Sequence, residues 1–184
     1  GDGSIFTTSI AAGNKEQIKE ILVTHNISQV YMMAAMLSAT AEKYPIKAWD
    51  LNMTALLTIL ELGKEGCYKQ LFWPSSIGAF GPTSPKINTP QTTTMLPTTV
   101  YGISKYSGEM WCQYYTSQYG LDVRTVRYPG IISYKTKPGG GTTDYAVEIY
   151  FEALKKGRYT SFLSEDTLLP MMYMDDAIEA TIRL

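Results

Sequence analysis

Gln70-Leu71-Phe72-Trp73 runs straight into Pro74-Ser75-Ser76-Ile77-Gly78. An apolar run followed by proline, serine and glycine reads as a short buried strand, residues 70–73, stopped by Pro74. The same punctuation occurs twice more. Residues 28–33, with Val30 and Tyr31 as strand formers, run into Ala34-Ala35-Met36-Leu37-Ser38. Residues 123–127 run into Pro129-Gly130-Ile131-Ile132. Helical patterns fill the intervals. Asn14 reads as the N-cap of a helix with Ile18, Ile21 and Leu22 on one face. Residues 44–62 present Trp49, Met53, Leu56, Leu57, Ile59, Leu60 and Leu62, and residues 98–119 form a long helix ended by Gly120. A short strand over 4–8, a loop over 75–97, a glycine-rich loop over 135–143, a helix over 144–156 and a last helix from Asp175 complete the pattern. Strands alternating with helices predict an α/β fold with a parallel sheet and helices on both faces. Such sheets bind ligands at the carboxyl ends of their strands, where the three small-residue segments lie.

Composition removes several classes of function. The 184 residues carry 16 Lys and Arg against 17 Asp and Glu, a net charge of −1, which removes the electrostatic case for a nucleic-acid partner. No apolar run approaches the roughly 18 residues of a membrane span, and no basic leader with an apolar stretch opens the chain. One histidine, His25, sits between Thr24 and Asn26, so a histidine-based nucleophile system has little to draw on. Two cysteines, Cys67 and Cys112, lie in unrelated segments; the count permits one bridge, and a cytosol-type protein favours two thiols. No Cys-x-x-Cys or His-x-x-x-His spacing points to a metal. Catalysis is left to Tyr, Lys, Ser, Thr, Asp or Glu.

Tyr101 and Lys105, four apart on the long helix, share one face. An ammonium near a phenol is expected to favour the phenolate, which could take a proton from a substrate hydroxyl as hydride leaves the carbon. Ser75 and Ser76 would supply a hydroxyl that holds the substrate oxygen. Tyr-x-x-x-Lys arises easily among fourteen tyrosines, so the pair gains its meaning from its place between the Ser-Ser and Pro-Gly strand ends. The bland readings elsewhere are Met32, Met33 and Met36 as core filling, Asp175-Asp176 as the opening of the last helix, and Lys155-Lys156 as a solvated helix end.

With Tyr101-Gly-Ile-Ser-Lys105, Pro74-Ser75-Ser76 and Arg127-Tyr128-Pro129-Gly130 in hand, the chain resembles the extended short-chain dehydrogenases/reductases. MAAMLSATAEK from Met33, FWPSSIGAFGPTSPK from Phe72, PGGGTTDYAVEIY from Pro138 and LPMMYMDDAI from Leu169 are closer still to the epimerase-like L-threonine 3-dehydrogenases. The resemblance implies a Rossmann-type doubly wound sheet. It places a partial NAD-binding domain over residues 1–134 and the start of a substrate-binding region over 135–184. It implies NAD-dependent oxidation of the L-threonine β-hydroxyl to 2-amino-3-oxobutanoate. Tyr101 resembles the general acid/base, Lys105 the residue that binds the nicotinamide ribose, and Ser76 the third member of the catalytic set. Ala34, Ala35, Asn52, Pro129 and Ile131 match cofactor-contacting positions, and Ser38, Ser75, Gly141 and Thr142 match positions that hold the amino acid. A homodimer through residues 48–62 and 98–119 is implied, in the cytoplasm of a bacterium or the mitochondrial matrix of a eukaryote.

Two departures accompany the resemblance. The family's Gly-x-x-Gly-x-x-Gly turn, which receives the pyrophosphate at a helix N-terminus, has no counterpart here, so the chain reads as an internal stretch of the fold. The 184-residue chain alone is therefore expected to bind NAD poorly. Where the family usually has an acidic residue near the adenine, Gly13-Asn14 stands, and Asn14 reads as the helix cap. The rival readings are a nucleotide-sugar epimerase or dehydratase using the same Tyr and Lys, and a catalytically silent dinucleotide-fold module.

Overall fold

Among the described residues, β2 (Gln70–Ser76) is the middle strand of a three-stranded parallel sheet, flanked by β1 (Gln29–Tyr31) and β3 (Asp122–Tyr128). The computed structural model describes residues 5, 14–135, 137, 139, 141 and 143–184. The strand expected over 4–8 lies outside the described residues except for Ile5.

Pro74 does not stop β2, contrary to the sequence expectation. Phe72 directs its polar backbone groups toward β1, its carbonyl accepting from Met32 N at 3.0 Å. Pro74, two residues on, faces the same side. β1 has already ended opposite Phe72, so the missing N–H costs the sheet no ladder bond, and β2 continues beside β3 as far as Ser76.

Each sheet face is covered. Leu71 and Trp73 pack with α1 (Lys15–Thr24), α3 (Pro45–Lys64) and α4 (Val100–Tyr119) in the larger core, with Leu22, Met53, Leu56, Leu60, Cys112 and Tyr115. Phe72 and Tyr128 pack on the opposite face with Ala177 of α6 (Met174–Arg183). The expected parallel α/β sheet with helices on both sides is thus present. Asn14 caps α1, its side chain accepting from Gln17 N. The helix expected over 44–62 is α3, started by Pro45 at its first turn. α4 is capped by Thr99 and ends at Gly120 with φ 69°. Its Gly108 is required by close approach: a Cβ there would lie 2.3 Å from the Trp73 ring.

One short helix, α2 (Ser38–Lys43), precedes α3 and was not expected from sequence. Its N-cap residue is Leu37, which offers no side-chain cap. Beyond β3, β4 (Gly130–Ile132) pairs in parallel with β5 (Met171–Tyr173) as a separate two-stranded sheet, and α5 (Tyr145–Lys156) lies between them in sequence. Asp175 and Asp176 lie in the first turn of α6, as the sequence suggested. Of the three methionines assigned to the core, Met32 is buried but Met33 is 63% exposed. Cys67 and Cys112 are free thiols. No helix among the described residues is long and apolar enough to cross a membrane.

Candidate active site

The carboxyl end of β2 meets the first turn of α4 because neither can carry extra atoms there. Ser76 is followed by a 3₁₀ turn, Ile77–Ala79. A Cβ on Gly102 would lie 2.2 Å from the Gly78 carbonyl oxygen, so only glycine lets α4 seat against this turn. The adjacent residue, Tyr101, is thereby held over the turn. A Cβ on Gly78 would lie 3.4 Å from both Ser76 Oγ and the Tyr101 ring.

Ser76 Oγ accepts from Gly78 N at 3.0 Å, which leaves its own proton to give. Tyr101 stands beside it: burial pushes the phenol above its ordinary range, and the Ser76 hydroxyl acts in the opposite direction. This differs from the sequence expectation, in which Lys105 was to lower the phenol. Lys105 Nζ instead donates to the Pro74 carbonyl at 2.5 Å. It lies 4.5 Å from the Trp73 ring centroid and 5.5 Å from that of Tyr101. The Pro74 carbonyl is available to it because it points past the end of β1. Lys105 is 4% exposed, and burial brings its pKa down to about 8.

The loop after β1 forms the neighbouring wall. Ala34 is exposed and Ala35 half-buried. Buried Asn52 on α3 does not reach outward: its Oδ1 accepts from Met36 N at 2.7 Å, and its Nδ2 donates to Met36 O at 3.2 Å. Asn52 therefore shapes the loop by gripping one residue's backbone. Glu42 of α2 accepts from Val100 N at 2.7 Å, closing α2 onto the start of α4. Ser38, the first residue of α2, is half-buried.

On the β3 side, Pro129 leads into β4, with Ile131 packed against the Phe72 and Tyr128 cluster. Gly130 is another forced glycine, since a Cβ would lie 2.5 Å from Thr143 Cβ. That contact lays Thr143 against β4. Gly141 is half-buried and donates its N–H to Asp144 Oδ2 at 2.7 Å. Thr142 lies outside the described residues. Ser75, matched to a substrate contact in the sequence, is 2% exposed and gives its hydroxyl to Glu109. Glu109 itself was missed. Its signal was available: it follows Lys105 by four residues on the sheet-facing stripe of α4, where a carboxylate needs a partner.

The donor set fits the nicotinamide-ribose half of a dinucleotide. A buried ammonium, a phenol and a serine hydroxyl converge at one strand end, beside a loop whose small side chains Ala34 and Ala35 let a flat ring approach the backbone. The sequence profile described as the NAD dependent epimerase/dehydratase family matches residues 6–184. The chain belongs to that family. Among curated relatives, an uncharacterized epimerase/dehydratase of Staphylococcus haemolyticus is 55% identical over 172 residues, 93% of this chain and 54% of the relative. Among solved structures, a partial consensus L-threonine 3-dehydrogenase is similar with TM-score 0.93 and 56% identity, over 96% of this chain and 57% of that one. The holo form of a GalE-like L-threonine dehydrogenase from Cupriavidus necator gives TM-score 0.91 and 57% identity, over 95% of this chain and 57% of that one. The chain thus spans a little over half the length of these family members.

Proposed function

We propose that the full-length protein containing this chain oxidises the β-hydroxyl of L-threonine to 2-amino-3-oxobutanoate with NAD. One observation carries the reading: Ser76, Tyr101 and Lys105 converge at the end of β2 in a chain 56% identical to an L-threonine 3-dehydrogenase. In this reading Tyr101 takes the hydroxyl proton of the substrate, and Ser76 holds the same oxygen from the other side. NAD, when bound, supplies the acceptor for the hydride that leaves the β-carbon. Lys105 holds the nicotinamide ribose, with Ala34, Ala35, Pro129 and Ile131 lining its approach and Asn52 fixing the loop that carries the two alanines. Ser38, Gly141 and Thr142 hold the amino acid, with residues 1–134 serving the cofactor and 135–184 the substrate.

The exposed apolar side chains of α3 and α4, among them Trp49, Met110, Trp111 and Tyr114, support a homodimer through these helices. The bacterial relatives support a cytoplasmic setting.

The test on the full-length protein, in the presence of a chelator, follows NADH formation with L-threonine and epimerised or dehydrated product with a UDP-hexose, since those sugar reactions return the hydride and accumulate no NADH. Turnover of threonine that survives chelation is the expected result. Turnover of the sugar alone, or loss of threonine turnover on chelation, would overturn the reading.

A further inference from the structure

Along β2 the side chains alternate between the two faces of the sheet, so Leu71, Trp73 and Ser75 all point toward α4. At Ser75 this alternation meets a charge pair in which Glu109 is buried and Arg127 half-buried. The Ser75 hydroxyl donates to Glu109 Oε1 at 2.5 Å. Arg127, near the end of β3, donates Nε to the two oxygens of the same carboxylate at 2.9 and 3.1 Å, and Nη2 to Oε2 at 2.7 Å. Its Nη1 donates to the Gln91 carbonyl at 3.0 Å, and the guanidinium stands 4.9 Å from the Phe80 ring centroid. The Glu109–Arg127 pair therefore joins the ends of β2 and β3, the middle of α4 and the loop at Phe80 and Gln91.

Stability alone does not account for such a group. Taking Glu109 and part of Arg127 out of water has a cost, and apolar side chains of similar volume often do as well. Position does account for it. Ser75 immediately precedes Ser76, and Tyr101, Lys105 and Glu109 follow one another at four-residue steps along α4. A short, charge-assisted hydrogen bond gives the corner a single geometry.

We propose that Glu109 is a positioning residue for the reaction, acting through Ser75 to set Ser76 Oγ against Tyr101. The inference rests on the dehydrogenase reading and deepens it. Ser76 Oγ is fixed on one side by Gly78 N, and it stays beside the Tyr101 ring at Gly78 only while the backbone of residues 75 and 76 keeps its register against α4. The Ser75–Glu109 bond ties that backbone to the helix bearing Tyr101 through a side chain, beside the bond from Lys105 to the Pro74 carbonyl. Ser75 thereby acts through its neighbour and does not touch the substrate.

The test uses the full-length protein with Ser75→Ala, Glu109→Gln and the double variant. Ser75→Ala cuts the tie while keeping the Glu109–Arg127 bridge, so the fold is preserved. The kcat for threonine oxidation should fall about tenfold, as small misplacements of reacting groups do. The KM values for NAD and threonine should be unchanged, and the double variant should be no slower than Glu109→Gln. A crystal structure of the Ser75→Ala protein should show Ser76 Oγ displaced from Gly78 N. Unchanged kcat in both single variants, an additive double variant, an unmoved Ser76, or a raised threonine KM at unchanged kcat would overturn the proposal. Absence of threonine turnover in the unaltered protein would instead sink the dehydrogenase reading, and the crystal structure would still decide whether Ser75 sets Ser76.

Discussion

Replacing Tyr101 with phenylalanine in the full-length protein should lower the rate of threonine oxidation by about 10²–10⁴-fold, the usual contribution of a positioned acid or base. The affinity for NAD should stay near the unaltered value. The ring would still fill the space beside Gly78, where a Cβ would meet it at 3.4 Å, so the site keeps its shape and loses one oxygen. The pH dependence carries a second signature. Burial pushes the Tyr101 phenol up, and only the Ser76 hydrogen bond acts against that shift. A base must be deprotonated to act, so the oxidation rate should climb with pH as the phenol gives up its proton. In the Tyr101→Phe variant the residual rate should lose that climb. Steady-state rates across pH, with calorimetric titration of NAD, check both parts. A phenylalanine variant with full turnover would place the base elsewhere.

Lys105→Met should damage two properties together. A charge-assisted hydrogen bond contributes about 1.5–3 kcal/mol, so NAD binding should weaken by roughly 10- to 100-fold. The rate should fall as well, because the anchored ribose positions the reacting carbon. The same substitution should alter how stability depends on pH. Folded Lys105 has a pKa of about 8, against an ordinary value of 10.5. Between those values the unfolded chain binds more protons, so this group makes stability rise with pH. Cys112 opposes it at higher pH: burial holds its thiol protonated up to about 12, against an ordinary 9.0, so stability falls as pH climbs past the lower value. The window that isolates Lys105 is therefore about pH 8 to 9. Denaturant unfolding there should show a rise for the unaltered protein and a flatter profile for Lys105→Met. Equal slopes would mean that the ammonium is not buried at a cost.

Much of the fold was legible because hydrophobic period and punctuation agree. Trp73 and Leu71 alternate with Phe72 and so define two faces, and both faces proved to be covered. Asn14, Pro45 and Gly120 mark helix ends by local chemistry, which acts without tertiary help. What failed depends on neighbours distant in sequence. Pro74 breaks a strand only if its N–H is needed, and the end of β1 at Tyr31 removes that need. α2 has no side-chain cap to announce it. Its placement comes from Glu42 reaching Val100, 58 residues away.

The candidate site divides in the same way. The convergence of Ser76, Tyr101 and Lys105 follows from motif spacing on one strand end and one helix. The orientation of the supporting groups does not. Asn52 sits where a cofactor contact was expected, yet it spends both ends of its amide on Met36. Ser75 sits beside the expected substrate, yet it faces Glu109. In each case the partner was set by the direction of a side chain. For Ser75, strict alternation from Leu71 could have revealed that direction.

The most direct test of hydride removal from the threonine β-carbon uses L-threonine bearing deuterium at that carbon. The full-length protein should deliver the label to the reduced cofactor, detected by mass spectrometry as one added mass unit in NADH. Label that remains in the amino-acid product, or appears only in solvent, would contradict the account.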